Sequence, residues 1–252
     1  MLKKTPFKLE IHGQCHSCNV GKSCLLRGFN LNEIKQFEQI IEKQIFLEKK
    51  AILIEPGQAN SSLYVIKSGT LKSYNMLKEG EEEIRTIYSV GDIVGIEFLK
   101  YGIYPSFVES LEPTIICQIP YHKLQLLLTT VPQLQKNIQT IIYHSQDKTQ
   151  DLIKLLRDKK ALTRYARYLL LLMKQNEHRN LPKTILRPSL SRRTLANYLH
   201  LSKETISRVT TKLRKKGIIQ VQFNTIVIKN VDALLKITQS SSKEIKMNIS
   251  SK

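Results

Sequence analysis

The sequence predicts an α+β chain: an N-terminal antiparallel β-roll (jelly-roll-like), a long helix, and a C-terminal winged helix-turn-helix. Three observations carry that expectation. Between residues 48 and 120, short apolar runs are separated by Gly57, Gly69, Gly80 and Gly91 at fairly even spacing, the punctuation of antiparallel strands and turns. Beyond Pro132, apolar residues recur at helical spacing. Two short helical patterns then lie on a strongly basic segment, followed by two short strand-like runs.

Residues 1–30 hold Cys15, Cys18 and Cys24 with little periodicity, and read as an irregular segment that needs something to organise it. Residues 31–47 read as an amphipathic helix with Ile34, Phe37, Ile40 and Ile41 on one face and Asn30 or Asn32 as N-cap. Ala51–Ile54, Ser62–Lys67, Thr70–Tyr74 and Arg85–Tyr88 are the clearest strands, so that 31–130 forms a small, largely β sensor domain. Leu124, Leu127 and Leu128 mark a short helix, and Pro132 stands in the first turn of a long one, spanning 131–160. Its row of Leu134, Ile138, Ile141, Ile142, Leu152, Leu155 and Leu156 is broken by the polar run HSQDKTQ. The row suits an intramolecular core and a helix–helix dimer seam equally well; the break would weaken a seam and leave it switchable.

In the segment 161–238, Ser191 caps a helix carrying Leu195, Ala196 and Leu199. A second helix begins at Ser202, turns Ile206, Val209 and Leu213 inward, and ends at Gly217. Small Ala196 lets the two approach closely, as a helix-turn-helix requires. Ile218–Val221 and Thr225–Lys229 flank a turn at Phe223 and Asn224, forming a wing, and 239–252 reads as a disordered tail.

Charge assigns a task to this segment. The 40 Lys and Arg against 21 Asp and Glu leave +19, which suits nucleic acid or an anionic membrane. Residues 31–130 are slightly acidic (10 basic, 13 acidic), whereas 161–252 hold 19 basic against 4 acidic. The expected partner is therefore double-stranded DNA, approached by the N-terminal end of the second helix. Arg208 suits guanine O6 and N7, Glu204 suits the cytosine amino group, and Ser207 reaches a base or a phosphate. Ser191, Arg192, Lys203, Thr205 and Lys212 are expected backbone contacts. No apolar stretch approaches the roughly 18 residues of a membrane span. The N-terminus lacks the apolar core of a signal peptide, so a cytoplasmic protein without structural disulfides is expected.

Cys15, Cys18 and Cys24 follow C-x2-C-x5-C, and such a trio on a polar segment reads as a ligand set. Thiolates select zinc, copper(I) or iron–sulfur clusters, and His12 and His16 could complete a zinc site. Cys117, within TIICQIP, reads by itself as a small buried hydrophobe of a strand.

Taken together, CHSCNVGKSC, SLYVIKSGTLKSY, GDIVG, PSFVESLE, TIICQIP and NYLHLSKETISR resemble the FNR branch of the CRP/FNR regulators, in the same order from Cys15 to Leu235. That branch comprises iron–sulfur oxygen sensors. The resemblance implies that Cys15, Cys18, Cys24 and Cys117 ligate a 4Fe-4S cluster, and that Glu204, Ser207 and Arg208 read palindromic TTGAT-like half-sites. It further implies a homodimer that activates or represses genes of anaerobic metabolism, with RNA polymerase as protein partner, and that releases DNA when oxygen attacks the cluster. Three features depart from a simple match: His200 at a turn position often held by glycine, Asn19 and Ser23 beside the cysteines, and the polar centre of the long helix.

Other functions fit less well. A cyclic-nucleotide receptor needs an arginine for the cyclic phosphate, and GDIVGIEFLKYGIYPSFVESLEP has none. A zinc site or thiol redox switch would keep the DNA binding. An iron–sulfur electron carrier has no use for a basic reading helix, and an enzyme is not expected because no phosphate loop or nucleophile motif of comparable strength is present.

Overall fold

The computed structural model describes residues 15–18, 20, 24–58, 61–78, 80–178 and 181–247. They form two compact units, 1–146 and 147–252.

In the first unit, a short 3-10 turn (Cys15–Ser17) precedes α1 (Leu31–Ile40). Asn30 caps α1 in a reciprocal box: its side chain accepts from the Glu33 amide at 2.9 Å, and the Glu33 carboxylate accepts from the Asn30 amide at 2.8 Å. The helix stops at Ile40, short of the expected 47, because Lys43–Leu47 forms strand β1. Ile45 and Leu47 enter the core there while the backbone pairs with a strand far along the chain, a tertiary gain that outweighs local helical periodicity.

The remaining strands are β2 (Ile52–Ile54), β3 (Ser62–Ser68), β4 (Thr70–Met76), β5 (Glu82–Ser89), β6 (Ile93–Val94), β7 (Phe107–Ser110) and β8 (Thr114–Pro120), with the short α2 (Phe98–Tyr101) after β6. They make two antiparallel sheets, ordered β1-β8-β3-β6 and β2-β7-β4-β5, in agreement with the predicted roll. Gly69, between β3 and β4, has φ +90°, and a Cβ there would lie 2.3 Å from Thr114 Oγ1. Only glycine fits that turn.

Strand alternation divides the packing in two. Tyr64 and Ile66 of β3 and Ile116 of β8 join a core with Leu71, Tyr88 and Tyr104. Leu63, Val65 and Ile119 join a second core with Phe37, Leu25 and Leu26, with Leu124 of α3 (Tyr121–Thr130) and with Leu134 of α4 (Pro132–Arg157). Cys117 packs on this second side.

The apolar row of α4 serves both units as core. Leu134, Ile138 and Ile141 pack in the first, and Leu152, Leu155 and Leu156 in the second. The large apolar side chains that α4 leaves exposed are Tyr143 (65%) and Ile153 (52%).

The second unit continues with α5 (Ala161–His178), β9 (Ile185–Leu186), α6 (Arg192–Tyr198), α7 (Lys203–Lys215), β10 (Ile219–Gln222), β11 (Thr225–Ile228) and α8 (Val231–Met247). The wing is present as β10 and β11, extended to three strands by β9. The tail expected to be disordered from 239 instead continues α8 to Met247, with 248–252 outside the described residues. Asn230 accepts from the Ala233 amide, Leu234 is fully buried, and neither proline nor glycine interrupts the helix. No helix among the described residues is long and apolar enough to cross a membrane.

Candidate nucleic-acid interface and cysteine site

Both helices of the helix-turn-helix start on side-chain caps. Ser191 accepts from the Thr194 amide and Ser202 from the Thr205 amide, each at 3.1 Å. Leu195, Ala196 and Leu199 of the first helical segment and Ile206, Val209 and Leu213 of α7 are buried in one core, as their spacing predicts. The turn takes a left-handed residue at His200, φ +48°, where glycine is the easier choice.

Burying one face of α7 leaves the other for a ligand. Arg192, Lys203, Glu204, Ser207, Arg208 and Thr211 line one open cleft of about 600 Å³. All except Thr211 were expected from sequence; half-buried Thr211, one turn beyond Ser207, was missed although its spacing places it on the same face. Hydrogen bonds from its own amide and the Ser202 hydroxyl hold the exposed Glu204 carboxyl below its ordinary pKa, so it remains an acceptor. The Ser191 and Thr205 hydroxyls are engaged at the caps, and exposed Lys212 lies outside the cleft lining, in the last turn of α7.

Arg164 of α5 was also missed. Its Nη1 donates to the carbonyls of Leu199 (2.8 Å) and His200 (3.1 Å), and its Nε and Nη2 donate to the Asp158 carbonyl. One guanidinium thus ties the turn between the helices to the end of α4. Arg167 pairs with buried Asp158 at 2.6 Å.

In the first unit, Cys15, Cys18, Cys24 and Cys117 line a single cavity, together with apolar Val20, Leu26, Phe37 and Val65. All four thiols are free. Burial pushes Cys15 and Cys24 up to about 12 and Cys117 to about 11, and the neighbouring thiols add to the rise. Backbone amides at Cys24, and Lys67 and Gln44 at Cys117, pull the other way. Without a cation Cys15, Cys24 and Cys117 stay neutral near pH 7; a soft metal would supply the charge that lets them ionise.

A four-sulfur donor set suits both zinc and an iron–sulfur cluster. Tetrahedral zinc draws every sulfur to about 2.3 Å from one point. Among the described residues no three His, Cys, Asp or Glu side chains form such a single-ion group. A multi-iron cluster engages each cysteine at a different iron, and four thiolates are the donor set it takes. The cavity encloses about 20 Å³. His16 is absent from the lining and faces Glu38 at 3.4 Å, while His12, Asn19 and Ser23 lie outside the described residues.

Two residues that sequence reasoning missed anchor the cysteine segment. Glu38 of α1 accepts from the backbone amides of Cys15 (2.5 Å) and His16 (3.3 Å). Buried Asn137 of α4 donates to the carbonyls of Leu25 (2.6 Å) and Arg27 (2.8 Å), just after Cys24. A polar residue at a core-facing position of α4 was the available signal.

Comparison with known proteins identifies the domains that carry the helix-turn-helix residues and Cys117. A Crp-like helix-turn-helix domain matches residues 163–237, and a cyclic nucleotide-binding domain matches 44–130. The anaerobic regulatory protein of Pasteurella multocida is 32% identical over 235 residues, 93% of this chain and 86% of its own length. The fumarate and nitrate reduction regulatory protein of Escherichia coli K12 is 33% identical over 88% of this chain and 89% of its own. Among solved structures, FixK2 from Bradyrhizobium japonicum shares the fold, with TM-score 0.68 and 22% identity over 77% of this chain and 96% of its own. Identity at this level over nearly the whole chain, joined to the helix-turn-helix and the roll, means that the chain belongs to the CRP/FNR family of transcription regulators.

Proposed function

We propose that this regulator responds to oxygen through a 4Fe-4S cluster held by Cys15, Cys18, Cys24 and Cys117, and controls genes of anaerobic metabolism as a DNA-bound homodimer in the cytoplasm. The observation that carries the reading is the convergence of four cysteines, one of them distant in sequence, on one apolar cavity in a chain whose relatives are named anaerobic regulators.

When bound, the cluster supplies an oxygen-sensitive link between the N-terminal segment and β8. Glu38 and Asn137 make the position of that segment felt elsewhere, since Asn137 belongs to α4 and holds the backbone beside Cys24. The exposed Tyr143 and Ile153 of α4 give a second subunit apolar surface to cover. A twofold dimer presents two α7 helices to two half-sites, each reading bases through Glu204, Ser207 and Arg208. Arg192, Lys203 and Lys212 engage phosphates, Ser191 and Thr205 set the helix starts, and RNA polymerase is the partner that activation requires.

No cyclic nucleotide is needed. The space between the sheets is filled by Tyr64, Tyr88 and Tyr104, and the sole arginine of 31–130, Arg85, is exposed. Buried Lys72 is paired with Glu82 and with Glu109 at 3.6 Å.

Anaerobic reconstitution with iron and sulfide, followed by operator binding before and after air, tests the reading. Equal iron and sulfide uptake and tighter binding by the loaded form are expected, with no response to added cyclic AMP. Uptake of neither iron nor sulfide, or equal operator affinity of apo and loaded protein, would overturn it; zinc uptake alone would favour a structural metal site.

A further inference from the structure

One polar pair faces the otherwise apolar cysteine cavity from the roll. Gln44 of β1, 4% exposed, lies directly opposite Cys117 in the β1–β8 ladder. On the other flank, Val65 of β3 pairs with Cys117, and Lys67 stands at the irregularity in the β3–β8 ladder between Ile66 and Ser68, where it too reaches the cavity. Lys67 Nζ donates to Gln44 Oε1 at 3.2 Å, and both residues line the cavity. With its oxygen engaged, the Gln44 amide has its NH2 group to give, and the Gln44 side chain is hydrogen-bonded with Cys117. Among the described residues, Lys67 Nζ is bonded to this amide rather than to a carboxylate.

An ordinary strand lysine covers its stem and sends its ammonium to water. Lys67 instead spends its hydrogen bond on a buried amide beside a cysteine. The arrangement has an electrostatic use if the four thiolates carry a cluster. Four thiolates around a 4Fe-4S core of charge 2+ leave a net charge of 2−, which an apolar cavity solvates poorly. A nearby cation and an N–H donor to sulfur both favour the more negative redox state.

We propose that Lys67, acting through Gln44, is the counter-charge of the Cys117 corner, stabilising the anionic cluster and raising its reduction potential. The proposal rests on the cluster reading above. Lys67 is a positioning and charge-compensating residue, touching the cluster's ligand through the amide. The step concerned is a one-electron reduction: the cluster accepts an electron from a reduced viologen mediator, and no bond is made or broken.

The test compares full-length wild type with Lys67→Met, Lys67→Arg and Gln44→Leu after anaerobic reconstitution. Iron and sulfide content, thermal unfolding and the midpoint potential from a mediated titration are read for each. In Lys67→Met, the oxidised-to-reduced ratio at the wild-type midpoint should rise about tenfold, a fall of 59 mV for one electron. Lys67→Arg should restore it, and Gln44→Leu should shift it the same way, by less. An unchanged midpoint in Lys67→Met, or a fall that arginine fails to rescue, overturns the proposal while the cluster reading stands. Should Lys67→Met take up no cluster, Gln44→Leu decides: a lowered midpoint supports the relay and an unchanged one overturns it. Wild type that binds neither iron nor sulfide overturns the cluster reading itself.

Discussion

At the scale of single residues, the cleft on α7 separates two kinds of cation. Arg208 has a planar fork suited to guanine, whereas Lys212 is a point charge on the last turn of the helix. Arg208→Ala should weaken operator binding by about 1–3 kcal/mol and relax preference at one base pair per half-site. Lys212→Ala should weaken binding to operator and unrelated DNA alike and lower the salt slope by about 1 per contact. Binding titrations on operator variants check both; equal losses on all sequences for Arg208→Ala would remove it from the base-reading set. The place of these residues on α7 was legible in the sequence because capping, helical period and charge are local properties. Arg164 was not, because its partners are carbonyls of another element, and a backbone oxygen leaves no mark in a residue pattern.

At the scale of elements, a buried amide, Asn137, joins α4 to the cysteine segment, beside the more exposed Gln133 bond to the Arg27 carbonyl. Asn137→Leu keeps the size and removes both bonds to the Leu25 and Arg27 carbonyls, leaving those acceptors without this partner. A loss of about 1–3 kcal/mol is expected in thermal unfolding of the apo protein, with weaker iron uptake on reconstitution. Retention of both would show that Glu38, Gln133 and the apolar packing place the segment without Asn137. The cysteine trio was legible from its spacing, but its meeting with Cys117 was carried by resemblance, since the local pattern read as an ordinary strand. Convergence depends on the register of β8 against β1 and β3, which opposes Cys117 to Gln44 and Val65. The same long-range pairing converts 43–47 from expected helix to strand.

At the scale of the whole molecule, charge is divided along the chain. Residues 161–252 carry +15 of the total +19, yet Arg164 and Arg167 are committed to Asp158, Lys174 to Asp151, and Lys183 to Glu177. The cations free for phosphate are fewer than the formal charge suggests. With Arg192, Lys203 and Lys212 from each subunit, about six contacts per dimer, operator affinity should fall by about 10³ between 50 and 200 mM salt. A slope several-fold steeper would mean that cations beyond these three take part. The order of roll, long helix and winged helix-turn-helix was readable from periodicity and charge; the sharing of the α4 row between two cores was not, since a helical stripe states that it is covered and not by what.

The left-handed histidine in the helix-turn-helix invites a comparison with the unfolded chain. Glycine at 200 would relieve a backbone penalty of about 1–2 kcal/mol at φ +48°. It would also give the denatured state more freedom to lose, a reversal of about 0.4–1 kcal/mol. The difference is about 1 kcal/mol, comparable with a single hydrogen bond. An exposed imidazole is thus retained at the turn through a near balance of folded-state strain against unfolded-state entropy.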